Sequence, residues 1–483
     1  MLIQLHPGDN VATAPADLAA VPAGHKAAAR LIRQGEAVVK GGVAIGVALA
    51  DIAQGALVDA RTVGALAGDV PPTSRPRSEA EPAFFDGIVR ADGRVATRNM
   101  LGVLVVGNCA ATVARQTADW FDEERLADFP NVDGVVAFVH EIGCGMEMTG
   151  EPMDLLRRTI AGFIRHPNMA GAVVLALGCE RNNLKIFLEQ QQLTLGDRLH
   201  ALTMQENGGT LRTTEEARRL ISDMLPEANK ARRQKVSAAH LTLGLQSSAI
   251  DGFSGLSANP ALGVAVDLLT AQGGTAILSE TPDLTPLSDH LVARAADAET
   301  AAKLKERLAW WTETYARGRD VERDGRLNPA NAAAGLASVR EKALDSLAKA
   351  GTGQIHGVRR YAEAVTAKGL TFMDTPSYDP IAVTGQIAGG ANLIALTTGR
   401  GDAFGSYPAP TCTIASNSAA FRRTGGDVDL NAGAVIDGEA TVEEMGLRIF
   451  DRLLAHASGA KTRSEEEGMG ENEFAPWPIG VLN

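Results

Sequence analysis

Three times between residues 100 and 180, an aliphatic run breaks off and a cysteine follows within a few positions. Leu101 to Gly107 leads to Cys109, Val135 to His140 leads to Cys144, and Ala172 to Gly178 leads to Cys179. Runs of this length without polar alternation are strands buried on both faces, which requires helices above and below the sheet. That constrains the chain to an α/β class with mainly parallel strands. Ligands of such sheets bind where the strands end at their carboxyl side. A single cysteine there packs as a small apolar residue. Three in register, beside His140 and Glu180, converge on one crevice, and thiolate, imidazole and carboxylate together suit iron or zinc more than magnesium or calcium.

A second stretch, Asp374 to Asn417, has the marks of an anion site. Apolar runs at Ile381 to Val383 and Leu393 to Leu396 are cut by Gly389-Gly390, by Thr398-Gly399-Arg400-Gly401-Asp402 and by Ser416-Asn417. Glycine lets the backbone approach a ligand, and the planar fork of Arg400 matches a carboxylate. The simpler alternative is an ordinary corner with a solvated arginine.

The 483 residues suffice for several domains, and 45% hydrophobic with 22% charged residues is ordinary for a globular protein. Fifty-one glycines with only 4% aromatics favour layered α/β units with tight turns over a β-sandwich. A net charge of −12 argues against nucleic acid or an anionic membrane as partner. The start, MLIQLHPGDN, lacks the basic and apolar segments of a signal peptide, and the four cysteines are widely spaced. The expectation is a cytoplasmic protein with reduced thiols.

The order along the chain predicts three units. Residues 1–70 read as a compact clip of short strands, beginning with a strand over residues 1–6 and with a helix possible over 27–34. Residues 71–82, PPTSRPRSEAEP, are a linker. Residues 83–235 form an α/β unit that opens with a hairpin turning at Asp92-Gly93 and closes in a helical, charged connector from about 200. Residues 236–483 form a second α/β unit. In it, Leu241 to Gln246 is a strand, Asn259-Pro260 enters a helix, Glu280 ends a strand, 328–335 is a glycine-alanine loop, and an amphipathic helix comes last.

Taken together, the motifs resemble one family, the altronate and galactarate dehydratases. They run in order over nearly the whole chain: Gly24-His25-Lys26, Thr97-Arg98-Asn99, Gly143-Cys144, Leu177-Gly178-Cys179-Glu180, Asp251-Gly252-Phe253-Ser254-Gly255, Ala258-Asn259-Pro260, Ser279-Glu280, Thr398-Gly399-Arg400-Gly401, Ser416-Asn417 and Asp427 to Gly433. The resemblance implies an N-terminal SAF-type β-clip followed by two α/β domains. It also implies an Fe2+- or Mn2+-dependent dehydration of a sugar acid to a 2-keto-3-deoxy acid. A cousin with similar modules, sulfolactate sulfo-lyase, expels sulfite instead of water.

Dehydration of a 2,3-dihydroxy acid needs a base at C2, an acid for the departing hydroxyl and strong charge stabilisation of the enolised carboxylate. The expected catalytic groups are His140 as base or metal ligand, His25 from the cap as second proton-transfer group, and Arg400 on the carboxylate. Cys144, Cys179, Glu180 and Glu280 are the expected metal ligands, with Asp251 an alternative oxygen donor. Lys26, Arg98, Asn99, Asp251, Ser254, Asn259, Thr398, Gly399, Gly401 and Asn417 are expected on the substrate, and a homodimer is expected for an enzyme of this size.

Three departures from the family pattern stand out. Ser247-Ser248-Ala249-Ile250 replaces Cys-Gly-Gly-Ser, Ala330-Asn331-Ala332 replaces Gly-Asn-Lys, and Thr413 replaces a lysine. These losses leave room for a lyase acting on a different hydroxy acid, or for a sugar-acid-binding paralogue without activity.

Overall fold

The computed structural model describes residues 2–18, 20–66, 81–315 and 327–479. All but the last two residues of the expected linker lie outside the described residues.

The first unit is built from six short strands: β1 (Val11–Thr13), β2 (Lys26–Ala28), β3 (Ala37–Lys40), β4 (Val43–Ala48), β5 (Leu57–Val58) and β6 (Val63–Gly64). They form two antiparallel three-stranded sheets, β1-β2-β5 and β3-β4-β6, around Ile32, Val38, Ile45 and Val58. Gly41 and Gly42 both have positive φ and pair Lys40 with Val43 across a two-residue hairpin, a conformation open to glycine at little cost. The segment 27–34 is not a helix. Ala27 and Ala28 are buried in antiparallel register with β1, and that pairing overrides alanine's helical preference. Nor do residues 2–6 form a strand beyond one bridge from Ile3 to Thr13.

The second unit places β9 (Met100–Val105), β10 (Gly134–Phe138), β11 (Met169–Ala176) and β12 (Leu199–Thr203) in a parallel sheet ordered β10-β9-β11-β12. Every residue of β9 and β11 is buried, as their uninterrupted aliphatic runs require. Beside it, β7 (Phe84–Val89) pairs antiparallel with β8 (Val95–Ala96) and β13 (Arg233–Ser237). The stretch from 200 to 235 is therefore more than a helical connector: it holds β12, the helix Thr210–Ala228 and β13.

The third unit is a seven-stranded, wholly parallel sheet ordered β16-β17-β15-β14-β18-β19-β20. Its strands are β14 (Thr242–Ser248), β15 (Thr275–Leu278), β16 (Ile355–Arg359), β17 (Gly369–Met373), β18 (Leu393–Thr398), β19 (Thr411–Ala415) and β20 (Leu430–Asn431). The chain winds one way from β14 through β15 and the other way from β18 through β19, so the topological switch lies between β14 and β18. Ile381 to Val383 sits on the helix Asp379–Ala388, and part of the 328–335 loop is a short helix, Pro329–Ala333, capped by the Asn328 side chain.

The helices Glu151–Ile164 and Asp379–Ala388 end side by side. A Cβ on Gly162 would lie 2.4 Å from the Ala388 carbonyl oxygen. At the same end the Thr97 hydroxyl donates to the Asn392 carbonyl at 2.6 Å, joining the amino ends of β9 and β18, while the start of the first helix, at Glu151 and Leu155, lies with Asp374 beyond the carboxyl end of β17. Both sheets therefore present their carboxyl ends on the same side of the molecule. No helix among the described residues is long and apolar enough to cross a membrane.

Candidate active site

The switch point between β14 and β18 is crowded with polar side chains that have left water. Asp251 is its hub. Its Oδ1 accepts from the Ser254 amide at 2.9 Å, the Ser254 hydroxyl at 2.7 Å and the Ser416 hydroxyl at 2.9 Å, and its Oδ2 accepts from Asn417 Nδ2 at 2.9 Å. Asn417 also donates to the Gly399 carbonyl at 2.9 Å. Gly399 is needed because a Cβ there would stand 2.5 Å from the Asp251 carboxyl carbon. Burial pushes the Asp251 carboxyl up, against four hydrogen bonds that favour its charge. Asn259 Nδ2 donates to the Asp345 carbonyl at 2.7 Å, and its Oδ1 receives the Thr397 hydroxyl at 2.6 Å. Asp251, Ser254, Asn259, Gly399 and Asn417 are thus drawn together, with their hydrogen bonds largely spent on one another.

Next to this hub lies a buried ion pair that the sequence did not mark. Lys349 Nζ donates to Glu280 Oε2 at 2.6 Å and to the hydroxyls of Ser247 and Ser346, each at 3.0 Å. Gln246 Nε2 joins Glu280 Oε1, at 2.9 Å, to Asp379 Oδ1, at 2.6 Å. Burial pushes the Glu280 carboxyl up to about 7 despite Lys349. Its backbone is left-handed, φ +67°, a conformation that costs a non-glycine residue on the order of 1–3 kcal/mol. Glu280 is therefore a partner of Lys349 and not part of a thiol site.

The cap is seated directly on the switch point. Phe253 packs 3.3 Å from the position of a Cβ on Gly24, and a Cβ on Gly252 would fall 1.9 Å from the Gly24 carbonyl oxygen. Lys26 is fully buried: its Nζ donates to the Gly335 carbonyl at 2.6 Å and pairs with Glu341 at 2.7 Å. Lys40 pairs with the same Glu341 oxygen at 2.7 Å and with Asp345 at 3.0 Å. Lys26 is thus a latch between units, fully buried and out of reach of substrate. His25, on the same loop, is half-buried, with Nδ1 3.3 Å from the Ala23 carbonyl oxygen. Arg400 is exposed on the rim. Its amide donates to the Thr398 hydroxyl at 3.4 Å, and its guanidinium makes no hydrogen bond or ion pair among the described residues. Gly401 follows at φ +94°, its Cβ position filled by Thr424.

Three expected residues stand elsewhere. Arg98 and Asn99 precede β9, at the amino ends of the strands. Arg98 is 2% exposed, bonded to both oxygens of Glu465 at 2.6 and 2.7 Å and to the carbonyls of His456 and Ala460. Asn99 Nδ2 donates to the Asn131 and Ala228 carbonyls, at 2.5 and 2.9 Å. Both are structural clamps, since every donor of theirs that bonds is committed to the protein's own groups. His140 turns inward, with Nε2 donating to the Val105 carbonyl at 3.0 Å and Nδ1 buried without a hydrogen-bond partner among the described residues. Desolvation lowers its pKa to about 4, so the ring is neutral and a weak base.

The carboxyl ends of β9, β10 and β11 do bring the thiols together. Cys109 and Cys144 share a hydrogen bond, and Glu180 and Cys179 lie close enough to act on the Cys144 thiol. Burial first, then Cys109, push that thiol up. Cys109 and Cys179 are exposed. Glu180 is folded back on its own turn, accepting from the Leu177 and Gly178 amides, the latter at 2.8 Å.

Family models match along the chain: an altronate/galactarate dehydratase SAF domain over residues 18–65, a D-galactarate dehydratase/altronate hydrolase second domain over 87–229, and a D-galactarate/altronate dehydratase C-terminal domain over 238–482. The galactarate dehydratase (L-threo-forming) of Escherichia coli is 31% identical, covering 95% of this chain and 91% of its own. The chain belongs to the altronate/galactarate dehydratase family. The Escherichia coli altronate dehydratase is 30% identical over 99% of both chains. The (2R)-sulfolactate sulfo-lyase subunit beta of Chromohalobacter salexigens is 28% identical, covering 81% of this chain and 96% of its own.

Within this dehydratase family pattern, the chain's departures acquire positions. Ser247 replaces a cysteine and hydrogen-bonds Lys349 and Thr397, both at 3.0 Å. Ala249, where a glycine is usual, is held at φ +46°. Ala332 lies on the segment whose Ala334 carbonyl accepts the Gly252 amide at 2.9 Å, so the lysine missing there is missing beside the Asp251 loop. Thr413 is buried in β19, and its hydroxyl has no hydrogen-bond partner among the described residues. The expected donors for a divalent metal do not form one set, because Glu280 belongs to Lys349. Cys109 and Cys144 come into hydrogen-bond contact, but with Cys179 and Glu180 they do not make a set of three ligand atoms within 4.8 Å of one another.

Proposed function

We propose that the protein is a hydro-lyase that removes water from a polyhydroxy acid of the aldonate or aldarate class, leaving a 2-keto-3-deoxy acid. The observation that carries this reading is the Glu280–Lys349 pair at the switch point of the seven-stranded sheet. A carboxyl group pushed up to about 7 by burial, 2.6 Å from an ammonium, sets an acid and a base within one hydrogen bond of each other. Glu280 and Lys349 are read as the groups that take the C2 proton and deliver one to the departing hydroxyl. Arg400, exposed and unpaired on the neighbouring strand end, receives the carboxylate. His25 arrives with the cap, whose seating on Gly252 and Gly335 excludes water from the pair.

A divalent metal, iron or manganese, is the cofactor read for this chain, and Cys144, hydrogen-bonded to Cys109 with Cys179 and Glu180 nearby, would be among its ligands. When bound it would supply Lewis-acid charge. A homodimer is the expected assembly, checked by light scattering.

The test is a panel of aldonates and aldarates assayed for 2-keto-3-deoxy acid, with sulfolactate assayed for sulfite. Turnover on at least one sugar acid, abolished in Lys349→Met, is the expected result. Sulfite release alone would replace the reading with C–S cleavage, and silence on every compound would leave a binding protein.

A further inference from the structure

Away from both groups, three side chains converge on the far side of the third unit: Cys412 on β19, Asp429 in the loop before β20, and His456 on the helix Val442–Ala457. Their ligand atoms all lie within 4.8 Å of one another, and this is the one such group of histidine, cysteine and carboxylate among the described residues. All three side chains are sealed from water, at most 3% exposed for the Asp429 and His456 side chains and 0% for Cys412.

The histidine defines the chemistry. His456 Nδ1 lies 3.0 Å from the Ala460 carbonyl oxygen, so it carries the hydrogen and the lone pair sits on Nε2. That Nε2 is buried with no hydrogen-bond partner among the described residues, and it faces Asp429 Oδ1 at 3.6 Å. A lone pair pointed at a carboxylate in a dry interior is repulsive unless a cation lies between them, and 3.6 Å is too long for a proton bridge. A tetrahedral zinc with bonds of about 2.0–2.3 Å sets its ligands roughly 3.3–3.8 Å apart, which matches this spacing.

The surroundings resemble those of a metal site. The Ala460 carbonyl fixes the imidazole tautomer, and the Asp429 oxygens are oriented by the Arg463 amide at 2.9 Å and the Thr413 amide at 2.8 Å. Arg98 and Arg452 bring positive charge toward His456, and Arg98 is neutralised by Glu465. Thiolate, carboxylate and neutral imidazole carry two negative charges, which a divalent cation cancels.

We propose that Cys412, Asp429 and His456 form a structural site for a zinc-class divalent cation, separate from the thiols of the second unit. The ion ties β19, the 427–431 loop and the C-terminal helix together.

The test uses cobalt as a spectroscopic substitute for zinc. Substituting serine for Cys109, Cys144 and Cys179 leaves Cys412 as the one thiol of the four in the chain. Native protein whose accessible thiols have been alkylated serves the same purpose if that variant folds poorly. Protein produced with Co2+ should retain one equivalent through dialysis and show a thiolate-to-cobalt charge-transfer band. His456→Gln should abolish the band. Absence of both band and retained metal from the single-thiol protein would overturn the proposal, whatever the outcome for catalysis.

Discussion

Lys349 Nζ lies 2.6 Å from Glu280 Oε2, with 0% and 4% of the two side chains exposed, and the partners are 69 positions apart in the chain. Breaking such a pair leaves a buried charge uncompensated, at a cost of about 3–5 kcal/mol. Lys349→Met should therefore lower stability by an amount of that order as well as abolish turnover. Glu280→Gln, which keeps shape and one acceptor, should lose turnover by about 100-fold or more with a smaller stability loss. Unchanged kcat in Glu280→Gln would remove the pair from the chemistry.

The same carboxyl group predicts a pH dependence. Its pKa rises on folding from 4.5 to about 7, so the folded state binds the extra proton between those values. The contribution of Glu280 is then complete below pH 4.5 and lost as the pH rises through about 7. Denaturant titrations across this window should show wild type losing stability relative to Glu280→Gln, by up to ~3 kcal/mol. A difference that is flat with pH would contradict the burial of the group.

Glu341 opposes its own burial through Lys26 and Lys40, which hold its carboxyl down to about 2. Glu341→Gln strands the buried Lys26 ammonium at the seam between the cap and the third unit and leaves Lys40 with Asp345 alone. Limited proteolysis should then degrade the first unit faster than in wild type, and stability should fall by about 3–5 kcal/mol. Cleavage at the wild-type rate would mean that contacts other than the lysines seat the cap.

Ala249 occupies a left-handed conformation at φ +46°. Ala249→Gly should relieve that strain and raise stability by roughly 0.5–1 kcal/mol, read as a higher Tm. A lower Tm would show that the alanine methyl group is packed productively.

Arg400→Ala should raise KM by about tenfold or more, with Tm unchanged, because the guanidinium holds no part of the fold together. Arg98→Met should do the reverse, since Arg98 binds Glu465 and the carbonyls of His456 and Ala460. If Arg98→Met keeps its Tm and loses substrate affinity, the assignment of the two arginines is inverted.

The strands were legible because β9, β11, β14 and β18 are aliphatic runs whose burial the pattern states directly. The approach of Cys109 to Cys144 followed from parallel register alone. The roles of Arg98, His140 and Glu280 were misread for a common reason. Residue type does not tell which end of a strand a neighbouring loop occupies, or which distant partner has already taken the charge. Lys349 did leave a trace. Glu341, Asp345 and Lys349 repeat every four positions, a spacing ordinarily assigned to a solvated helix face. Here that row faces the cap and the sheet, and only the fold reveals the inversion.

Because Gly24 meets Gly252 and Gly335 main chain to main chain, the cap cannot be traded freely among relatives. A transplanted N-terminal module would have to bring small residues at the contact and two ammonium groups at the spacing of Lys26 and Lys40. Otherwise the recipient's acids would be left facing each other across an empty joint. Compatibility of the first and third units is thus written in four charged side chains, not in the bulk of either core.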